Sequence, residues 1–137
     1  MELRRTAIVL DRELSSGQVG NVAAILMGQM GLLEPTLYDN DPPRDVDGII
    51  HAGIRFSLVV LKASRGQILS AANSFAANPL LASLVFTELG QGLHNAYHEY
   101  KASIGSSTTS ELGPVGLVVS GEDAAVRAAT KKFSLLQ

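Results

Sequence analysis

Glu88, Lys62 and Asp11, which stand at or just beyond apolar runs, and His94 and His98, which are spaced as a pair, are the side chains in this sequence best placed to do chemistry. Glu88 follows Leu81 to Phe86 almost directly, where a carboxylate can serve as an acid or base. His94 and His98 lie four residues apart, a spacing that puts both on one helix face and suits a metal. Their order, His-x-x-x-His-Glu, lacks the glutamate immediately after the first histidine that metalloproteases need, and no third ligand can be identified. The plainer reading places both on a partly exposed helix with Leu93 and Tyr97 turned inward. No metal is therefore expected, and His94 joins the candidates for ligand binding. His51 stands alone and reads as structural. The stretch Asp39-Asn40-Asp41-Pro42-Pro43-Arg44-Asp45 has acids at calcium-loop spacing. However, Pro43 occupies a ligand position, and neither the central glycine nor the closing glutamate is in register. It reads as a loop.

The elements that must hold these groups can be read from patterning. Thr6 to Leu10 is a continuous β-prone apolar run, the pattern of a strand covered on both faces. Ser15-Ser16-Gly17-Gln18 then fits a capping box, with Leu14 and Val19 at the staple positions, and opens a helix that continues to Met30. The same arrangement recurs at Ala63-Ser64-Arg65-Gly66-Gln67-Ile68 and, with Asp for Gln, at Val119-Ser120-Gly121-Glu122-Asp123-Ala124. Each is a recurrent way to satisfy the free amides of a helix start, and the unequal spacings speak against an internal repeat. Further strands are expected at Ile54–Ala63, Leu81–Phe86 and Pro114–Ser120, with helices at Arg65–Ala77 and Glu122–Lys132 and a loop over Gly31–Asp47. Phe133 to Leu136 is expected to pack down. Alternating strands and crossover helices imply a mostly parallel sheet with helices on both faces, a three-layer α/β/α sandwich.

In such sheets ligands gather where strand carboxyl ends meet helix amino ends. That rule collects Asp11 and Glu13 after the first strand, Lys62 and Ser64 at the end of the second, and Thr87 and Glu88 after the third. Asn21 lies one turn beyond Gln18 on the same face of a very apolar helix, and a buried amide must find partners. Gln18, Asn21 and Glu88 are accordingly expected to share a polar pocket. Thr108 and Thr109, in the run Ser106-Ser107-Thr108-Thr109-Ser110, are expected to line it from a loop. Each residue also has a plainer reading: the serines as caps, Asp11 and Glu13 as loop acids, Lys62 as a solvated cation, the hydroxyl run as solvated loop.

The chain has 137 residues, 46% of them apolar and only 18% charged, with a net charge of −2 and no cysteine. That length suits a single domain spanning 1–137, burying roughly two-thirds of its unfolded surface. The low charge leaves weakly polar surface and favours a partner, most simply a second copy in a dimer. The slightly negative charge argues against nucleic acid. Lack of cysteine removes disulfides, thiolate nucleophiles and cysteine-ligated zinc. MELRR is followed by only five residues before Asp11, and no apolar run approaches the ~20 residues of a membrane span. A cytoplasmic protein with no membrane contact and no cofactor is expected.

Three stretches carry a resemblance: IVLDRELSSGQVGNVAAILMGQM, LVFTELGQG and PVGLVVSGEDAAVRAATKKFSLL. Together they resemble a small bacterial and archaeal family of uncharacterised proteins that shares the fold of type II peptidyl-tRNA hydrolases. The resemblance implies a four-stranded mixed sheet, with the two strands nearest the carboxyl end antiparallel and helices on both faces. Of the hydrolase motifs, Gly17 keeps the glycine at the first helix start, whereas Gln18 replaces a lysine, Val22 a glutamine and Ile25 a histidine. In the later turn Glu88 stands for an aspartate, Gly90 is kept, and Gly92 replaces a threonine. Ester hydrolysis needs a group to activate water and a group to hold the oxyanion. Only Glu88 offers the first, and only helix amides the second. The reading that follows is a small-molecule-binding or regulatory domain using Asp11, Gly17, Gln18, Asn21, Lys62, His94, Thr108 and Thr109. The alternatives are an enzyme with Glu88 as acid or base and, last, peptidyl-tRNA hydrolysis.

Overall fold

The computed structural model describes residues 3–92 and 95–137. Its centre is β1, Arg4–Asp11, whose side chains alternate between two buried clusters. Ala7 and Val9 enter one, with Leu61, Ala63, Ile68, Phe75, Leu117, Val119 and Val126. Ile8 and Leu10 enter the other, with Val22, Leu26, Met30, Phe86 and Val118. A strand buried on both faces has no polar side to show, which is why its sequence reads as a continuous apolar run. Helix α1, Ser16–Leu33, covers the second cluster; α2, Arg65–Ala76, and α6, Asp123–Thr130, cover the first.

The sheet has five strands in the order β3-β4-β1-β2-β5, with β2 at Ser57–Ala63, β3 at Leu81–Thr87, β4 at Pro114–Glu122 and β5 at Ser134–Leu135. β2 pairs with β1 in parallel, whereas β4 runs antiparallel to both β1 and β3. The strands β1, β2 and β3 therefore point the same way and β4 runs between two of them in reverse. The antiparallel pairing of β3 with β4 is the one implied by the family resemblance. The expected four strands become five because Ser134 and Leu135 pair with Lys62 and Leu61, and two residues are too few to leave a pattern in the sequence. The mostly parallel reading is also corrected. Alternation of elements shows that crossovers exist, but the short helices α3, Glu88–Gly92, α4, Tyr97–Gly105, and α5, Thr109–Leu112, carry the chain back so that β4 enters reversed.

Two of the three expected capping boxes are present. Ser15 and Ser64 each accept from the amide three residues on, and the Gln18 and Gln67 side chains reach back to the cap amides. The third is not. Ser120 lies inside β4, fully buried opposite Thr6, and accepts a hydrogen bond from the Thr6 hydroxyl at 3.0 Å. β4 pairs with β1 as far as Arg4, through Thr6 with Ser120, Arg5 with Gly121 and Arg4 with Glu122, so the strand runs on to Glu122 and α6 starts at Asp123. The serine answers to its cross-strand partner instead of to the helix. Thr108, expected in a loop, is a cap: with Glu111 it forms a capping box that opens α5.

Between α1 and β2 the chain makes a 3₁₀ turn at Pro35–Leu37 and then an arm held by bridges Tyr38 to Ile54 and Arg44 to Ile50. At the arm's turn the Asp45 carboxylate accepts from the Asp47 and Ile49 amides and meets His51 Nε2 at 2.7 Å. Those contacts, His51 first, hold the Asp45 carboxyl below the usual carboxylate range. His51, which stands alone in the sequence, contacts Asp45 through its ring and the Pro43 carbonyl through its amide, both within the arm. Among the described residues no helix is long and apolar enough to cross a membrane.

Candidate functional site

Because β1, β2 and β3 share a direction, their carboxyl ends meet along one edge, and the residues beyond them fall into two groups on opposite faces. On the α2 side, Asp11 is the last residue of β1 and is 2% exposed. Its Oδ2 receives the Arg65 Nε–H at 2.6 Å, and its Oδ1 receives the Glu13 amide at 3.0 Å. Arg65 reaches this place because it is the first residue of α2, immediately after the Ser64 cap at the end of β2. Its Nη1 donates to Glu88 Oε2 at 2.9 Å. Glu88 starts α3 directly after β3, with its amide bonded to the Gly113 carbonyl at 2.7 Å. One guanidinium thus joins the ends of three strands. The Asp11 carboxylate first and Glu88 second push the Arg65 pKa above its ordinary value, so the group is a permanent cation.

On the α1 side the edge opens into a cleft of ≈ 530 Å³ lined by Arg12, Glu13, Leu14, Ser16, Val19, Lys62, Leu136 and Gln137. The alternation of β2 places Lys62 here, since Leu61 and Ala63 turn to the opposite cluster. The lining combines apolar Leu14, Val19 and Leu136 with two cations, a carboxylate and Ser16. The first turn of α1 also faces outward with amides that have no intrahelical partner. Further along the same face, Ile25, Phe86, Gly90, Asn95, Ala96, Tyr97 and Tyr100 enclose a smaller apolar hollow of ≈ 210 Å³. Among the described residues no three His, Cys, Asp or Glu side chains are grouped to hold a metal ion.

The model of a family described as a protein of unknown function, DUF2000, matches residues 4–137. The chain belongs to the DUF2000 family. A solved structure of a protein of unknown function, Atu0240 from Agrobacterium tumefaciens strain C58, superposes on this DUF2000 chain with a TM-score of 0.80. The two chains are 19% identical, and the superposition covers 100% of each. That likeness concerns the fold alone. No curated protein matches.

Within this DUF2000 fold the candidates from the sequence separate. Asp11 and Glu88 come together, but through Arg65, which in the sequence stands only as part of a cap motif. Its signal was available: an arginine directly behind a strand end belongs to the same edge as the other candidates. Lys62 lines the cleft with Glu13. Gln18 is exposed and its Oε1 accepts from the Ser15 amide at 2.9 Å, so the side chain completes the cap. Asn21 is exposed as well. The expected pocket of Gln18, Asn21 and Glu88 rested on Asn21 being buried, and α1 buries Val22, Leu26, Met27 and Met30 instead. Glu88 turns its carboxylate to Arg65. A side chain at the exposed Gly17 would meet nothing within 4 Å, so no close approach requires glycine there. Thr108 serves as a cap, with Thr109 following it in α5. His98 is exposed on α4. His94 lies outside the described residues.

Proposed function

We propose that this DUF2000 chain is a small-molecule-binding domain that takes its ligand in the cleft between the β1 and β2 carboxyl ends and the start of α1. The observation that carries this reading is the composition of that cleft: Lys62, Arg12 and Ser16 share its lining with apolar Leu14, Val19 and Leu136. A few placed polar groups above an apolar lining are the usual make-up of a ligand site. The matching ligand has an anionic head, a carboxylate or phosphate, on a short apolar body. The fold under this reading is the three-layer sandwich of type II peptidyl-tRNA hydrolases, supported by α1 on one face, α2 and α6 on the other, and the antiparallel β3 and β4 pair. A superposition on a solved type II hydrolase that left β4 unmatched would remove the fold assignment.

A thermal-shift screen of small carboxylates and phosphate monoesters with apolar tails tests the site. A true ligand at a hundred times its Kd adds about 2.7 kcal/mol of stability to the folded protein, and Lys62→Ala is expected to abolish most of that gain. If no compound raises the midpoint, or if Lys62→Ala responds as the wild type does, the cleft is not the site. A dimer belongs to the same reading. It is supported by exposed apolar side chains, Ile49, Ile50 and Ile54 on the arm and Leu58 on β2, and by the pairing of β5 with only Leu61 and Lys62 of that strand. Sedimentation that returned only monomer at micromolar concentration would discard it.

A further inference from the structure

Two carboxylates hold Arg65, and they hold it differently. Asp11 is buried, and its bond to Nε fixes the plane of the guanidinium. Glu88 has a side chain 65% exposed and bonds only Nη1. The buried partner alone neutralises the arginine, so the pair with Glu88 brings a second negative charge to a cation that is already balanced. An exposed ion pair of this kind contributes little to stability. Among the described residues Arg65 donates only these two hydrogen bonds. Three of its five N–H groups are therefore open, including both on Nη2.

The open donors and Nη1 form the outer edge of a planar fork, the geometry that takes a carboxylate or phosphate with two parallel hydrogen bonds. Glu88 Oε2 occupies one tine of that fork. The flank is kept clear by Gly113: a Cβ there would stand 3.1 Å from Glu88 Oε2 and 4.0 Å from Arg65 Nη1. Gly113 is also left-handed, with φ +71°, so any larger residue would be strained as well as obstructive.

We propose that Arg65 is an oxyanion-binding residue, positioned by Asp11, and that Glu88 is its exchangeable internal occupant, displaced when a small carboxylate or phosphate monoester binds. The site lies on the α2 face of the edge and does not rest on the cleft around Lys62. Glu88 acts here as a competitor for the ligand and not as an acid or base.

The test is titration with inorganic phosphate and, separately, with acetate across the millimolar range, following the Arg65 Nε–H resonance and the amide of Gly113 by NMR. Saturable shifts at both positions are expected. Glu88→Gln should bind the anion about fivefold more tightly, near the most that an exposed ion pair withholds. Arg65→Lys, which keeps the charge but loses the fork, should bind at least fivefold more weakly. Arg44→Ala, a cation on the arm between α1 and β2, should bind as the wild type does. Saturation by phosphate alone would assign phosphate esters as ligands, and saturation by acetate would assign carboxylates. The proposal falls if neither anion saturates, if Glu88→Gln fails to tighten binding, or if removal of an unrelated exposed carboxylate, Glu99→Gln, tightens it equally.

Discussion

Arg65→Ala is expected to lower the unfolding free energy by about 3 kcal/mol, the cost of leaving a buried carboxylate without its cation. The reason is the asymmetry of the pair: Asp11 is 2% exposed, whereas the Arg65 side chain is 47% exposed. Without Arg65, Asp11 keeps the Glu13 amide as a hydrogen-bond donor but no counter-charge. The opposite truncation, Asp11→Ala, removes the carboxylate and leaves an arginine that water can reach, so it should cost clearly less. The double variant should be no worse than Arg65→Ala, because the charge that Arg65 balances is then gone. Urea denaturation at neutral pH measures all three. A loss in Arg65→Ala equal to or smaller than that in Asp11→Ala would show that the buried carboxylate is solvated or otherwise paired, and the arrangement of the three strand ends would need to be redrawn.

Gly116→Val should destabilise the protein by about 3 kcal/mol through overpacking, which for a domain of this size lowers Tm by roughly 10 °C. Gly116 lies in β4 where α1 crosses it, and a Cβ there would stand 2.9 Å from Leu10 Cδ2, 3.1 Å from Val22 Cγ1 and 3.2 Å from Leu26 Cδ1. Each of those side chains is fully buried, so none can yield without moving the helix off the sheet. Gly20 supplies the contrast. It lies on the exposed side of α1, where an added Cβ meets nothing within 4 Å. Gly20→Ala should stabilise by about 0.5–1 kcal/mol through helix propensity and a less flexible unfolded chain. Calorimetry of the two variants beside the wild type checks both. A Gly116→Val protein that melts with the wild type would mean that α1 does not pack on β4 as described.

The glycine pair illustrates where sequence reading stops. Local patterning puts Gly20 in a helix and Gly116 in a strand, but only the approach of α1 to β4 makes the second crowded and leaves the first open. The same holds for the serines. Ser15, Ser64 and Ser120 stand in near-identical strings, and the first two are caps because their strands end where the apolar run ends. Ser120 differs because β4 is antiparallel and must reach the far side of the sheet, where Thr6 waits. Arg65 and Glu88 are 23 positions apart, and Asp11 and Arg65 are 54. No periodicity links them; the shared direction of β1, β2 and β3 does.

By itself the sequence determined what depends on short-range physics. The run Thr6 to Leu10 could only be a strand covered on both faces, Ser15 with Gln18 and Ser64 with Gln67 could open helices, and the rule of strand carboxyl ends located the edge where Asp11, Lys62 and Glu88 are found. Those conclusions rest on spacings of two to four residues, which the chain carries in its own order. The tertiary structure decided that Asn21 faces water, that Gln18 is spent on its own helix cap, that β4 enters in reverse and that Arg65 joins the strand ends. Each of these is a contact between segments far apart in the chain, set by which faces must be buried together, and burial is a property of the assembled sheet and helices rather than of any stretch alone.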